Sequence, residues 1–405
     1  MQSEHQSQSK DVTDQEAKTT RVNSASSTTS SHIVTADAVQ AEEVPTIPLG
    51  SLQTLSTLQP EVSVHALDSN AAMAMPAPLV VQPSEYRRGL GEWLQLWWAG
   101  IRPGYLPLSL LPVILASALA WTQSVSTRTP RGTFHPLRFV VLLIAVLLLQ
   151  AGAHLVNDYY DHIRGIDRSN SLGPGGLIQQ ALITPRRVLS LGLAALVLGT
   201  ALGIVVATAA GPLFLVFLLV GVLCAYFYSA TARALSSLAL GELVSFCIFG
   251  PLLVLASYVV QTGQVNRTAL LYSLPLGLLA AAAILSNDMR DIESDSQAGK
   301  HTLAYILGLK WSRALYVLLL FGAYALVIAL AVPHGAPHLL LIVLWTLPMA
   351  MVALTGAIRT QATAGFHLVM RETLKIEIYF TLLLVAALVV SALLGILPHL
   401  ALTIA

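Results

Sequence analysis

Nine apolar stretches occupy most of the chain after residue 100, at approximately 103–122, 137–157, 188–209, 211–230, 238–261, 268–287, 314–333, 337–357 and 378–402. Several approach the ~20 residues that an α-helix needs to cross the hydrocarbon core of a bilayer. With 55% hydrophobic and 11% charged residues, the chain lacks the polar faces that the surface helices of a soluble protein require. The expected fold is therefore an all-α integral membrane protein with nine transmembrane helices in contact with the lipid bilayer. The third and fourth stretches meet at Ala210-Gly211-Pro212, and the seventh and eighth at Pro333-His334-Gly335-Ala336-Pro337, both turn-forming breaks. A net charge of +1 argues against a nucleic-acid partner, which would call for a basic patch. Cys224 and Cys247 both fall in apolar stretches and read as small buried hydrophobes rather than a disulfide.

Basic residues set the orientation. With the N-terminus on the cytoplasmic side, fifteen Lys and Arg residues of the membrane part lie inside and four outside, a positive-inside bias. Nine spans then put the C-terminus outside. Before the first span, Trp93, Trp97 and Trp98 sit among apolar residues at helical spacing, which predicts an interfacial helix at headgroup level. Residues 1–84 differ in kind: they are rich in Ser, Thr and Gln, with nine acidic residues against three basic. They read as a disordered acidic tail ahead of a membrane domain over 85–405, without the features of a signal or transit peptide.

The membrane part spends its acids unevenly. Of twelve Asp and Glu residues from position 85 onward, seven lie in two short windows. One is Asn157-Asp158-Tyr159-Tyr160-Asp161 with Asp167 six residues on; the other is Asn287-Asp288-Met289-Arg290-Asp291 with Glu293 and Asp295 following. Spacings of three and four residues put carboxylates on one helix face. Such groups repel one another unless a cation or a basic side chain compensates, and acids near a bilayer are costly and usually functional. Four spans separate the windows, so both face the same side, as does the loop from Tyr228 to Glu242. They are 130 residues apart and share the Asn-Asp pair, a hint of two related halves. Hard oxygen ligands that incompletely encircle a metal suit Mg²⁺, which keeps waters and takes phosphate oxygens. Two such clusters across one cavity would bridge a diphosphate and stabilise its departure. Arg164, Arg168, Arg290 and Lys300 are candidate phosphate partners. A membrane-buried diphosphate points to an isoprenoid chain, and Tyr159, Tyr160, Tyr226 and Tyr228 are candidates to face an allylic cation. His154, one turn before Asp158, reads as a buried, satisfied histidine, with a base or ligand-supporting role as the alternative.

The motifs Asn157-Asp158-Tyr159-Tyr160-Asp161 and Asp291-Ile292-Glu293-Ser294-Asp295 resemble those of the UbiA superfamily of intramembrane aromatic prenyltransferases. The resemblance runs from Arg102-Pro103 to the C-terminus. The stretch 286–304, Leu240-Gly241-Glu242-Leu243-Val244, Phe249-Gly250-Pro251 and Val260-Gln261-Thr262-Gly263 resemble the branch that prenylates 1,4-dihydroxy-2-naphthoate. His301 departs from it, standing where that branch often has Arg or Lys. The resemblance implies a nine-helix UbiA-like bundle in the bacterial cytoplasmic membrane. It implies Mg²⁺-dependent transfer from a polyprenyl diphosphate to an aromatic acid, 1,4-dihydroxy-2-naphthoate, with loss of its carboxylate to give demethylmenaquinone. Asp158 and Asp161 would hold one Mg²⁺ with Asn157 in support, and Asp291 and Asp295 the other. Arg102 and Lys300 would contact the diphosphate, and Glu242 would act near the acceptor. Asp167, Asn287 and Asp288 complete the clusters, and Arg164 and Tyr228 the substrate contacts. Two other readings stay open: the same transfer to another acceptor such as homogentisate, and a cation-coupled transporter.

Overall fold

A computed structural model of the protein describes residues 89–127, 134–166, 176–230, 234–332 and 337–395. These fall in one unit, Pro78–Ala405; the other, Met1–Ala77, lies outside the described residues. So do the rest of the proposed tail, Asp167, Arg168 and the turn residues 333–336.

The fold is helical throughout; among the described residues strand pairing is limited to one isolated bridge, Leu238 to His301. The elements in order are α1 (Leu90–Gly100), a 3₁₀ turn (Pro103–Tyr105), α2 (Pro107–Thr127), α3 (Pro136–Arg164), α4 (Pro185–Ala210) and α5 (Pro212–Phe227). A kinked span follows, made of α6 (Gly241–Cys247), a π-helical segment (Ile248–Leu252) and α7 (Leu253–Thr262). Then come α8 (Arg267–Gln297), α9 (Leu303–Ala331), a 3₁₀ segment (His338–Thr346) running into α10 (Leu347–Arg359), and α11 (Thr363–Leu393). Prolines open α3, α4 and α5, where a missing N–H costs no hydrogen bond.

Among the described residues, eight spans are long and apolar enough to cross a membrane. The ninth expected span corresponds to α5, whose 16 residues reach only about 24 Å at ~1.5 Å per residue. Its crossing follows from geometry. The C-terminal ends of α3 and α8 line one cavity; with α4, the kinked span and α8 each crossing, the chain returns to that side only if α5 crosses as well.

α8 is the central column, with 67% of its apolar window buried against 28% for α4. It packs on α6, α9 and α11, while α3 packs chiefly on α4. The α3–α4 contact depends on glycine. A Cβ on Gly152 would lie 2.8 Å from the Gly192 carbonyl oxygen, and one on Gly192 would lie 3.1 Å from the Val156 nitrogen. Small residues of this kind let helix backbones approach where lipid supplies no hydrophobic drive. The kink packs on α8 in the same way: a Cβ on Gly250 would lie 2.8 Å from the Gly277 Cα, and Gly250 leaves helical geometry just before Pro251.

α1 fits the predicted interfacial helix. Leu90, Leu94 and Trp98 are exposed, while Trp93 and Trp97 stack at 6.4 Å and pack on Leu155, Leu177 and Ile178. Several span limits differ from the expected ones. α3 and α8 run through their acid clusters to Arg164 and Gln297, α9 begins at Leu303 rather than 314, and α11 covers Thr363–Leu393 rather than 378–402. Charged residues closed the apolar windows in the sequence, but in the fold the helices continue through them, and some of those charges pair within the helix, as Lys375 does with Glu372 at 2.7 Å. The cysteines also differ from expectation: both are free, but Cys247 is exposed and Cys224 is half-buried and lines the central cavity.

Candidate active site

The helices converge on one cavity whose inner wall is apolar (Val146, Leu149, Phe249, Leu252) and whose other end is polar. That polar end holds Asn157 and Asp161 from α3, Asn287, Asp288, Asp291 and Asp295 from α8, and Arg102, Tyr228 and Lys300 from the connections. The two acid windows, 130 residues apart in sequence, therefore share one site.

On the α3 side, Asp158 is 2% exposed and paired with the Arg102 guanidinium. Arg102 also donates from Nη1 to Asn157 Oδ1 at 3.3 Å, and Asn157 Nδ2 donates to Asp161 Oδ2 at 2.7 Å. Arg102 has a left-handed backbone with φ 56°, strain of about 1–3 kcal/mol for a non-glycine residue. That conformation turns the chain between α1 and α2 and brings the guanidinium to α3. Arg164 pairs with Asp161 at 3.6 Å and donates to the Ser229 carbonyl; it does not line the cavity.

On the α8 side, Arg290 grips Asp291 in a two-pronged pair, Nε to Oδ1 at 2.7 Å and Nη2 to Oδ2 at 2.6 Å, the strong geometry for Arg and carboxylate. Asn287 Oδ1 accepts from Arg290 Nη2 at 2.9 Å and from the Tyr105 hydroxyl at 3.1 Å. Lys300 Nζ lies 3.4 Å from Asp295 Oδ1. Burial disfavours its ammonium, but Asp295, Asp288 and Asp161 outweigh burial and hold it above the usual lysine range. Lys300 thus stays charged at neutral pH and senses both acid clusters. Burial, with Asp288 adding to it, raises the Tyr228 hydroxyl above the tyrosine range, so it remains a neutral donor at the cavity wall.

The donor set fits a hard divalent cation. Asp158 Oδ2 and Asp295 Oδ2 are buried without a hydrogen-bond partner, and such lone pairs are costly unless something claims them. Among the described residues no three His, Cys, Asp or Glu side chains form a ready metal cage. Mg²⁺ needs none, since it takes one or two carboxylates and completes its shell with water and phosphate oxygens.

Other expected residues fall elsewhere. Asp167 lies outside the described residues. Glu242 is buried at the start of α6 with neither oxygen hydrogen-bonded, behind the cavity wall rather than in it. Tyr159, Tyr160 and Tyr226 do not line the cavity; Tyr159 and Tyr160 pack edge to face at 5.3 Å. The reading of His154 as satisfied is overturned. It lines the cavity, and its Nε2 is buried without a partner. Tyr105, Gln150 and Phe249 line the cavity unanticipated. Gln150 accepts from Ser109 and donates to the Tyr105 carbonyl at 2.8 Å, tying α3 to α2. A lone Gln inside an apolar span was a usable signal for it.

Residues 109–364 match the UbiA prenyltransferase family. A 1,4-dihydroxy-2-naphthoate octaprenyltransferase from Bacillus subtilis is 30% identical over 297 residues, 73% of this chain and 93% of the relative. A UbiA prenyltransferase domain-containing protein 1 homolog from Drosophila melanogaster is 31% identical over 329 residues, 80% of this chain and 88% of the relative. A structure solved in a study of digeranylgeranylglyceryl phosphate synthase in membranes has the same fold, with a TM-score of 0.50 at 17% identity over 74% of this chain and 99% of that one. With enzymes rather than transporters as its relatives, this chain is an integral-membrane prenyltransferase and belongs to the UbiA prenyltransferase family.

Proposed function

We propose that the chain transfers a polyprenyl group from an allylic diphosphate to 1,4-dihydroxy-2-naphthoate, giving the quinol of demethylmenaquinone, which oxidises to demethylmenaquinone outside the site. The observation that carries this is a single cavity, apolar inside, whose polar end gathers both acid clusters with Arg102 and Lys300. The naphthoate acceptor rests on the relatives of that name at about 30% identity.

Asp158 and Asp161 would hold one Mg²⁺, and Asp291 and Asp295 the other, where the ions would neutralise charge developing on the departing diphosphate. Arg102 and Lys300 bind the diphosphate and orient it across the gap between α3 and α8. The apolar wall from Val146 to Leu252 takes the isoprenoid chain and excludes water. The C1–O bond of the donor breaks with its electron pair leaving on diphosphate, a C–C bond forms to the ring, and the ring carboxylate leaves as carbon dioxide. Tyr105, Tyr228 and Phe249 supply the aromatic faces near the reacting carbon. The site opens on the cytoplasmic side, following the excess of basic residues there. In the second reading the same transfer uses another acceptor such as homogentisate; the name of the Drosophila relative, of similar identity, specifies the family and no acceptor.

The test supplies membranes containing the chain with Mg²⁺, a labelled polyprenyl diphosphate and each acceptor, with and without chelator. A chelator-sensitive, decarboxylated prenyl-naphthoquinone is expected. Product only with another acceptor would keep the reaction class and discard the naphthoate assignment.

A further inference from the structure

The cavity's polar side chains are nearly all spoken for by the protein. Gln150 is engaged by Ser109 and Tyr105, Asn157 by Arg102 and Asp161, and Asn287 by Tyr105 and Arg290. Outside the acid cluster, where Asp295 Oδ2 is also unpaired, His154 stands apart. It sits in the same wall, three residues before Asn157 on α3, with its ring tilted against Tyr105 at 5.9 Å between centroids. Its Nε2 has no hydrogen-bond partner although it is shielded from solvent. A buried polar group left unpaired costs about 1–3 kcal/mol, and such groups in native structures call for an explanation.

Depth supplies one. On the reading of the cavity as the prenyl-transfer site, on which this inference rests, the diphosphate sits beside Asn157, Arg102 and Lys300. His154 lies about one helical turn, ~5.4 Å, further along α3, toward the apolar wall that begins at Leu149 and Val146. The reacting carbon follows the diphosphate immediately, so an acceptor ring poised to attack it lies at the level of His154. Tyr105 and Phe249 offer flat apolar surfaces there. A neutral imidazole presents one donor and one acceptor, and a half-turn of the ring exchanges its edges. Either edge can meet a ring hydroxyl.

We infer that His154 binds the aromatic acceptor by hydrogen-bonding one of its ring hydroxyls, and so selects hydroxylated acceptors. Its role is distinct from the diphosphate contacts of Arg102 and Lys300. It involves no proton transfer; the imidazole fixes the orientation of the ring against the allylic carbon.

The test uses the full chain in membranes with His154→Leu and His154→Asn. Each substrate is varied at saturating levels of the other. Replacing His154 by Leu should raise the acceptor KM about tenfold, the equivalent of one lost hydrogen bond, and leave the KM for prenyl diphosphate unchanged. Asn, which keeps a donor and an acceptor, should recover part of the loss. An acceptor lacking one hydroxyl should be penalised by the wild type and no longer penalised by His154→Leu. If both KM values move together in both variants, or neither moves, His154 is structural and the inference fails. If the wild type transfers no prenyl group to any aromatic acceptor, the reading of the cavity fails and this inference falls with it.

Discussion

The two acid clusters begin with the same Asn-Asp pair, yet their most buried carboxylates are neutralised differently. On α8 the counter-charges are local: Arg290 is the chain neighbour of Asp291, and Lys300 follows Asp295 by five residues. On α3, Asp161 has Arg164 one turn on at 3.6 Å, but the buried Asp158 relies on Arg102, 56 residues earlier and held on a left-handed backbone. The apolar window of α8 is 67% buried and that of α3 39%, and a carboxylate in the centre of a bundle is tolerated only when paired and hydrogen-bonded. The buried acids Asp291 and Asp295 are compensated by near neighbours in the chain, whereas the buried Asp158 borrows its partner from the α1–α2 junction. Substrate binding and structural pairing are therefore separable on α3 and fused on α8.

That contrast can be broken first at Arg290. Arg290→Ala strips the two-pronged pair from Asp291 and should cost about 3–5 kcal/mol of stability, read as a large drop in thermal midpoint in detergent; an unchanged midpoint would show that α8 does not depend on local pairing. Asp158→Asn and Asp291→Asn should each lower turnover by about 10²–10³-fold while eluting as folded protein. Retained activity in both would sink the assignment of the clusters to one metal–diphosphate site. On the α3 side, Gly192→Leu should cost about 1–3 kcal/mol by overpacking against Leu155 and Val156; melting identical to wild type would refute the close α3–α4 approach. Arg102→Ala should raise the KM for prenyl diphosphate about tenfold, the loss of a charge-assisted contact, with a smaller drop in midpoint than Arg290→Ala. The reverse ranking of midpoints would erase the distinction between the helices. Last, Lys375→Ala removes an exposed partner of Glu372 and should change stability by less than about 0.5 kcal/mol.

Much of this was legible in the sequence. The apolar windows located the spans because a bilayer imposes one length scale on every helix. The acid clusters stood out against a background nearly free of charge. That they face the same side followed from counting the spans between them; that they share one cavity is seen only in the fold. Less legible were features that depend on three-dimensional pairing. Window limits stopped at charges, so α3 and α8 were expected to end before residues that in fact extend them. The short α5, the π-helical kink at Gly250 and the break at Gly308 with φ 70° leave little trace in hydropathy. Tyr105 looked like an ordinary span residue until its hydroxyl was seen at Asn287, 182 residues away. His154 was recognisable as an odd polar residue, but that its Nε2 is unpaired depends on what surrounds it in the fold.

The decisive measurement is a binding cycle. The affinity of a non-reacting allylic diphosphate analogue would be measured in Mg²⁺ for the wild type, Asp158→Asn, Asp295→Asn and the double variant. If α3 and α8 grip one diphosphate together, each single change weakens binding by about tenfold or more, the double change adds little beyond the worse single, and removing Mg²⁺ makes all four proteins alike. Fully additive losses, or affinity indifferent to Mg²⁺, would mean that the two clusters act separately and that the shared site is not the seat of prenyl transfer.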